Sequence, residues 1–340
     1  MRSEVRCCGL AFGLLAVALI GWGCAKPPAP ETGPPAATPG QPGPALPVTP
    51  EETPGKKWVI GMSQCNLNEP WRVRMNNDIK AAAAKHPELE VIYKDAQNDS
   101  TTQQNHVREF ITQGVDLIII SPKEAKPLTA PVKEAYDKGI PVIVLDRRVE
   151  GDAYTCFIGG DNVMIGREAG YYLVQLLGGK GKVVELKGLE TSTPAQERHR
   201  GFLEGIKGSQ IEIIFSADCK WLEPEAQKEM NSALARFDQI DAVYAHNDPS
   251  AHGAYLAAKQ EGKGREKTIK FIGIDANPDE GIAYVKQGIL AATFDYPTGG
   301  QEAIETALKI LNGEKVEKEI LLGTRLYTPE NVEAGGEAIK

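Results

Sequence analysis

From Lys57 onward the chain alternates short apolar runs with amphipathic stretches. Trp58–Met62, Leu89–Tyr93, Asp116–Ile120 and Pro141–Leu145 read as strands, and the stretches 73–85, 102–113 and 126–138 between them read as helices. The pattern resumes with strands at Cys156–Gly159, Lys182–Leu186, Ile211–Ser216, Ala242–Ala245 and Ile269–Ile274. Helical stretches separate these too, with Asp161 placed to cap the first. The run Val142-Ile143-Val144-Leu145 has no polar alternation, as a parallel strand buried on both faces requires. Repeated βα units predict an α/β fold with parallel sheets covered by helices on both faces. Roughly ten strands is many for one such sheet, so two lobes are expected.

The N-terminal segment has a different character. Arg2 and Arg6 precede the apolar run Leu10–Ile20, which is too short for a transmembrane helix and suits an export signal. It ends in Gly21-Trp22-Gly23-Cys24, which resembles a lipoprotein signal cleaved before a lipidated cysteine. Gly23 fits that pattern, whereas Gly21 stands where a leucine is usual. Residues 1–24 are therefore expected to be a lipoprotein signal with Cys24 as the lipidation site. The stretch 25–55 holds 11 of the 23 prolines and almost no large apolar residues. Such a segment cannot bury enough surface to offset its ordering entropy, so residues 25–56 read as a tether extending roughly 3 Å per residue.

Charge and missing motifs exclude several functions. A net charge of −8 argues against nucleic acid as a partner. The first strand leads into Gly61-Met62-Ser63-Gln64 rather than a glycine fingerprint, and Gly178-Gly179-Lys180-Gly181-Lys182 precedes a strand rather than a helix. Neither can cradle a phosphate on a helix N-terminus. With no nucleophile elbow either, enzyme chemistry is not expected, and no cofactor is implied. The five histidines show no ligand spacing and no CxxC pair occurs, so no metal site is expected. Once Cys7, Cys8 and Cys24 are set aside, Cys65, Cys156 and Cys219 remain, an odd number that leaves at least one free thiol.

Polar residues gather where strands end. The fourth strand runs into Asp146-Arg147, a carboxylate beside a guanidinium, which suits a polyhydroxylated ligand or an ion pair closing the loop. The first strand is followed by Ser63-Gln64-Cys65-Asn66-Leu67-Asn68-Glu69-Pro70-Trp71-Arg72, and Ala242–Ala245 by His246-Asn247-Asp248. Phe271–Ile274 leads into Asp275, and Arg198-His199-Arg200-Gly201-Phe202 lies between. Together these resemble the periplasmic sugar-binding proteins of ABC importers, in particular the ribose-binding and galactofuranose-binding branches. The resemblance covers nearly everything from Lys57 to the C-terminus.

What the resemblance implies is specific. Asp146 and Arg147 match the family's Asp-Arg, Arg198 its arginine before Gly-Phe, Asn247 its Asn-Asp and Asp275 its Gly-x-Asp. Gln64, Glu69, Trp71 and Arg72 belong to the first loop, where Trp71 could stack on a sugar ring. A ligand-contacting phenylalanine of the family aligns with Cys219, with Trp221 two residues on; its last polar contact falls on Asp295 or Tyr296, of which Tyr296 is taken here. The implied architecture is two Rossmann-like lobes joined by three crossings, the type I periplasmic binding fold. One lobe would hold residues 57–156 and 297–323, the other 157–296 and 324–340. A monosaccharide would close the lobes and be delivered to an ABC transporter permease by a monomeric protein held on a bacterial membrane by its lipid. A sensory receptor of the same fold is the other expectation.

Overall fold

The computed structural model describes residues 57–339. The export signal, Cys24 and the tether expected at 25–56 lie outside the described residues. No helix among the described residues is long and apolar enough to cross a membrane.

The chain opens with β1 (Trp58–Gln64), α1 (Pro70–Ala83), β2 (Leu89–Asp95), α2 (Ser100–Gln113), β3 (Leu117–Ser121), α3 (Ala125–Asp137), β4 (Val142–Leu145) and β5 (Cys156–Gly160). It continues through α4 (Asn162–Leu176), β6 (Lys180–Lys187), α5 (Thr193–Gly205), β7 (Gln210–Asp218), α6 (Glu223–Arg236) and β8 (Ala242–Ala245). Then come α7 (Asp248–Gln260), β9 (Lys270–Asp275), α8 (Ala283–Lys286) and β10 (Ala292–Asp295). Last are α9 (Gly300–Leu311), β11 (Glu319–Leu322), β12 (Thr324–Tyr327) and β13 (Glu337–Ile339).

Two sheets result. The first has strand order β11-β5-β4-β3-β1-β2 and is parallel throughout. The second runs β13-β12-β10-β9-β8-β6-β7 and is parallel except where β12 pairs with β10 and β13. Each sheet is the core of one lobe of an α/β fold. The strands β3, β4 and β5 are buried at every residue, as their unbroken apolar runs require. The chain passes between sheets after β5, after β10 and after β11. Because β5 lies whole in the first sheet, the first passage comes at Gly160–Asp161 rather than at the expected residue 156. β10 through β13 were not expected as strands. They span only three or four residues each, too short for a period to show.

Local chemistry explains the helix starts. Asp99 accepts from Thr102 N at 2.6 Å and Asp161 from Met164 N at 2.9 Å, each meeting an otherwise unpaired N–H of a first turn. α1 begins earlier than its periodicity predicts because Pro70, with φ already helical, occupies its first position. In the second lobe α4 and α5 approach backbone to backbone: a Cβ on Gly201 would stand 2.0 Å from the Val163 carbonyl oxygen. That close approach places Arg198, three residues earlier, beneath α4.

Candidate functional site

The carboxyl ends of the strands of both sheets face one cavity, the position where open α/β sheets take ligands. It is lined by Glu69, Trp71, Arg72, Asp146 and Arg147 from the first lobe, and by Pro194, Arg198, Trp221, Asn247, Asp275 and Tyr296 from the second. About 280 Å³ there is free of atoms. The lobes are closed on each other. Contacts cross the cleft directly: Trp71 Nε1 donates to the Tyr296 carbonyl at 2.8 Å, and Arg148 N donates to Thr193 Oγ1 at 3.0 Å.

Asp146 organises the first lobe's wall. It sits at the end of β4 with φ 67, a left-handed geometry that turns its carboxylate back across the sheet edge. Its Oδ2 lies 2.7 Å from Arg72 Nη1 and 3.7 Å from Arg147 Nε, with all three side chains 3% exposed. Arg72 also donates to Ser121 Oγ at 2.7 Å, and Arg147 to the Lys123 carbonyl at 2.9 Å. Burial works against the charge on Arg72, but Asp146, with Cys65 and Glu69 behind it, outweighs burial and holds the proton more firmly than usual. The pair is thus an ion pair, and Asp146 also receives the Tyr296 hydroxyl from the other lobe at 3.0 Å. Burial, reinforced by Asp146, pushes the Tyr296 phenol up, so it remains a donor.

Arg198 organises the opposite wall. It is fully buried, donates from Nε to Asn162 Oδ1 at 2.9 Å and from Nη1 to the His246 carbonyl, and lies over the Tyr296 ring at 4.4 Å. Asn162 in turn donates to the Tyr296 hydroxyl at 3.2 Å. Beneath Arg198 lies a buried polar cluster. Glu185 accepts from His199 at 2.9 Å, from His246 Nε2 at 3.2 Å and from Ser216 Oγ at 3.0 Å. Burial would raise the Glu185 carboxyl, but the two imidazoles outweigh it and hold it well below the usual range. Burial lowers His246, so its Nε2–H donates as a neutral imidazole, whereas the hydrogen bond to Glu185 raises His199.

Several expected residues behave differently from their expectation. Gln64 does not line the cavity. It ends β1 facing α1, where its Nε2 donates to Met75 Sδ at 3.2 Å and its Oε1 accepts from Cys65 N at 3.1 Å. Asn247 lines the cavity, but its amide also works within the protein: Oδ1 caps α7 through Ser250 N at 3.1 Å and Nδ2 donates to the Trp221 carbonyl at 3.0 Å. Glu69 occupies the cap position of α1, where its side chain makes no cap hydrogen bond and instead accepts from Asn66 Nδ2 at 2.7 Å. Asp275 carries φ 127, and no protein hydrogen bond to its carboxylate is present among the described residues. Burial raises it. Of the alternatives near 295, Tyr296 faces the cavity, whereas Asp295 lines a surface groove with Arg74 and Asp78.

Cys219 is buried away from the cavity, and Trp221 occupies the wall instead. The loop after β7 turns through positive φ at Lys220 and Trp221, which swings the indole inward. Pro194, at the start of α5, was not foreseen either; nothing in its neighbourhood distinguishes it from an ordinary helix-start proline. Cys65, Cys156 and Cys219 are all free thiols, raised by burial, to about 11 for Cys156 and about 12 for Cys219. No group of residues able to hold a metal ion is present among the described residues.

Comparison with known proteins agrees with this geometry. The model of the periplasmic binding protein domain matches residues 60–315. The ribose import binding protein RbsB of Bacillus subtilis (strain 168) is 34% identical over 275 residues, spanning 80% of this chain and 88% of that protein. The galactofuranose-binding protein YtfQ of Escherichia coli (strain K12) is 32% identical over 281 residues, spanning 80% of this chain and 88% of its own. Among solved structures, the fructose-binding periplasmic domain of the hybrid two-component system BT1754 superposes with a TM-score of 0.79 at 44% identity, over 82% of this chain and 93% of that one. With its two sheets, three passages between them and a cavity at their facing edges, and with the family match over residues 60–315, the chain belongs to the periplasmic binding protein family.

Proposed function

We propose that the protein is an extracytoplasmic receptor that captures a monosaccharide between its lobes and delivers it to an ABC importer. The observation that carries this reading is the cavity itself. Both lobes contribute buried charged groups to it, and an aromatic side chain from each stands beside them. A polyhydroxylated ring can satisfy guanidinium donors and carboxylate acceptors on several sides at once, while indole surfaces cover its apolar face. Because neither lobe holds the full set, only the closed form satisfies the ligand, and ligand binding drives closure. The closed shape is then what a permease recognises. The kinship with RbsB and YtfQ, by name import or sugar-binding proteins, supports this reading.

The assignment of residues 57–160 with 297–323 to one lobe, and of 161–296 with 324–340 to the other, belongs to this proposal. So do a monomeric state and attachment to a bacterial membrane through a lipid on Cys24, with residues 25–56 as the tether. A Cys24→Ser variant is expected to lose palmitate labelling and leave the membrane fraction; retained labelling would overturn the anchor.

A sensory role is the second reading, favoured by the 44% identity to a periplasmic domain of a two-component system. Thermal unfolding against D-fructose, D-ribose, D-galactose and myo-inositol tests the receptor reading directly. A sugar present at a hundredfold excess over its Kd adds about 2.7 kcal/mol of stability, a plain shift in Tm. No shift with any of them would sink the sugar assignment. For the sugar that binds, loss of its uptake on gene deletion marks import, and loss of sugar-induced transcription with uptake intact marks sensing.

A further inference from the structure

Trp221 stands apart from the other cavity residues in three respects. Its indole Nε1 is buried without a hydrogen-bond partner, which is rare for a buried donor. Its backbone is held at φ 71, with Asn247 Nδ2 on its carbonyl at 3.0 Å, a geometry a bulky residue adopts only under constraint. Its ring lies flush on Gly188, where a Cβ would come within 2.3 Å of the indole carbons. Only glycine at 188 leaves the indole room.

Guanidinium groups from both lobes flank this ring, Arg147 at 5.5 Å and Arg198 at 5.4 Å from its centroid. They occupy surface that a sugar's C–H face would otherwise cover, and they draw electron density from the ring, which strengthens its N–H as a donor. The same accounting holds around it: Arg72 Nε and Arg147 Nε, though within 3.9 Å and 3.7 Å of the Glu69 and Asp146 carboxylates, are also buried donors without a hydrogen-bond partner.

The geometry points to Trp221 as a specificity-determining residue whose Nε1–H donates to an oxygen of the bound sugar. The site then selects monosaccharides that present a hydroxyl or ring oxygen, rather than a C–H edge, to the loop between β7 and α6. Gly188 sets how deeply the indole sits. This inference rests on the sugar-receptor reading.

Calorimetric titration tests it, using wild type, Trp221→Phe and Gly188→Ala with D-fructose, D-ribose, D-galactose and myo-inositol. Monodeoxy and carbocyclic analogues of whichever binds follow. Trp221→Phe keeps a ring on Gly188, so its Tm without sugar is expected to match wild type while its affinity falls about tenfold. One analogue, lacking the accepted oxygen, is expected to bind wild type and Trp221→Phe equally. Gly188→Ala, which displaces the ring, weakens that analogue and its parent alike. Equal affinities of wild type and Trp221→Phe for the parent sugar overturn this inference alone, as does an equal loss across every analogue. Failure of the wild type to bind any of the sugars overturns the receptor reading and this inference with it.

Discussion

Asp146→Ala is expected to lower ligand affinity by about 2–4 kcal/mol and to destabilise the ligand-free protein by about 3–5 kcal/mol. The carboxylate lies 2.7 Å from Arg72 at 3% exposure on both sides, and it also accepts from Tyr296 at 3.0 Å. Removing it leaves a buried guanidinium without its counter-charge, and a phenol from the opposite lobe without its acceptor. Breaking a buried pair from one side costs far more than the pair contributes, because the surviving charge has already lost its water. Ion pairing alone therefore accounts for the stability loss. The affinity loss has a separate origin, since Asp146 is also the first lobe's cavity carboxylate and the anchor of Tyr296 in the closed form. Urea unfolding without sugar and calorimetric titration with it separate the two effects. A stability loss with affinity intact would show that Asp146 only closes its loop and does not read the ligand.

Glu185→Gln tests the cluster under Arg198. The variant is expected to be about 3 kcal/mol less stable at pH 7, since a buried carboxylate that accepts from His199, His246 and Ser216 loses its charge. The pH dependence follows from the direction of each shift. Glu185 is held below its unfolded value of about 4.3, so its contribution is complete above that pH and is lost as the pH falls toward the folded value. His246 is held below its unfolded value of about 6.5, so the unfolded chain takes the proton first and stability falls with pH below that point. His199 is shifted the other way; its contribution is complete below about 6.5 and is lost as the pH rises through its raised value. The two histidines act on opposite sides of pH 6.5, so on the acid side the loss from His246 adds to that from Glu185, and only the Glu185 part is removed in Glu185→Gln. The stability gap between wild type and Glu185→Gln should therefore be widest near pH 5–7 and shrink below about pH 4. A gap that does not change between pH 3 and 7 would refute the charged state assigned to Glu185. Because the His246 carbonyl holds Arg198, a loss of sugar affinity should accompany the change.

The polar pattern gave these two sites unequal visibility. Asp146 ends an apolar run that admits only a buried strand, so its place at a sheet edge follows from the chain alone. Glu185 sits inside a strand that reads as apolar, and His199 and His246 lie far from it in sequence. Nothing in their spacing announces that they meet.

What the sequence determined by itself is the alternation of strands and helices, the division into two sheets, and the strand ends at which Asp146, Arg147, Asn247 and Asp275 stand. These follow from short-range physics: apolar runs must be buried on both faces, amphipathic stretches on one, and polar residues after a parallel strand fall at its carboxyl edge. Tertiary structure alone decided which way each side chain turns once there. Gln64 faces Met75 rather than the cavity because β1 alternates its side chains and α1 covers that side. Trp221 enters the cavity only because positive φ at 220 and 221, the carbonyl contact from Asn247 and the bare backbone of Gly188 coincide. The short strands β10, β12 and β13 form because the second sheet offers them partners, and β11 because the first sheet offers it an edge beside β5, not because four residues specify a strand. Each of these depends on partners far away in sequence, and a local pattern carries no record of such partners.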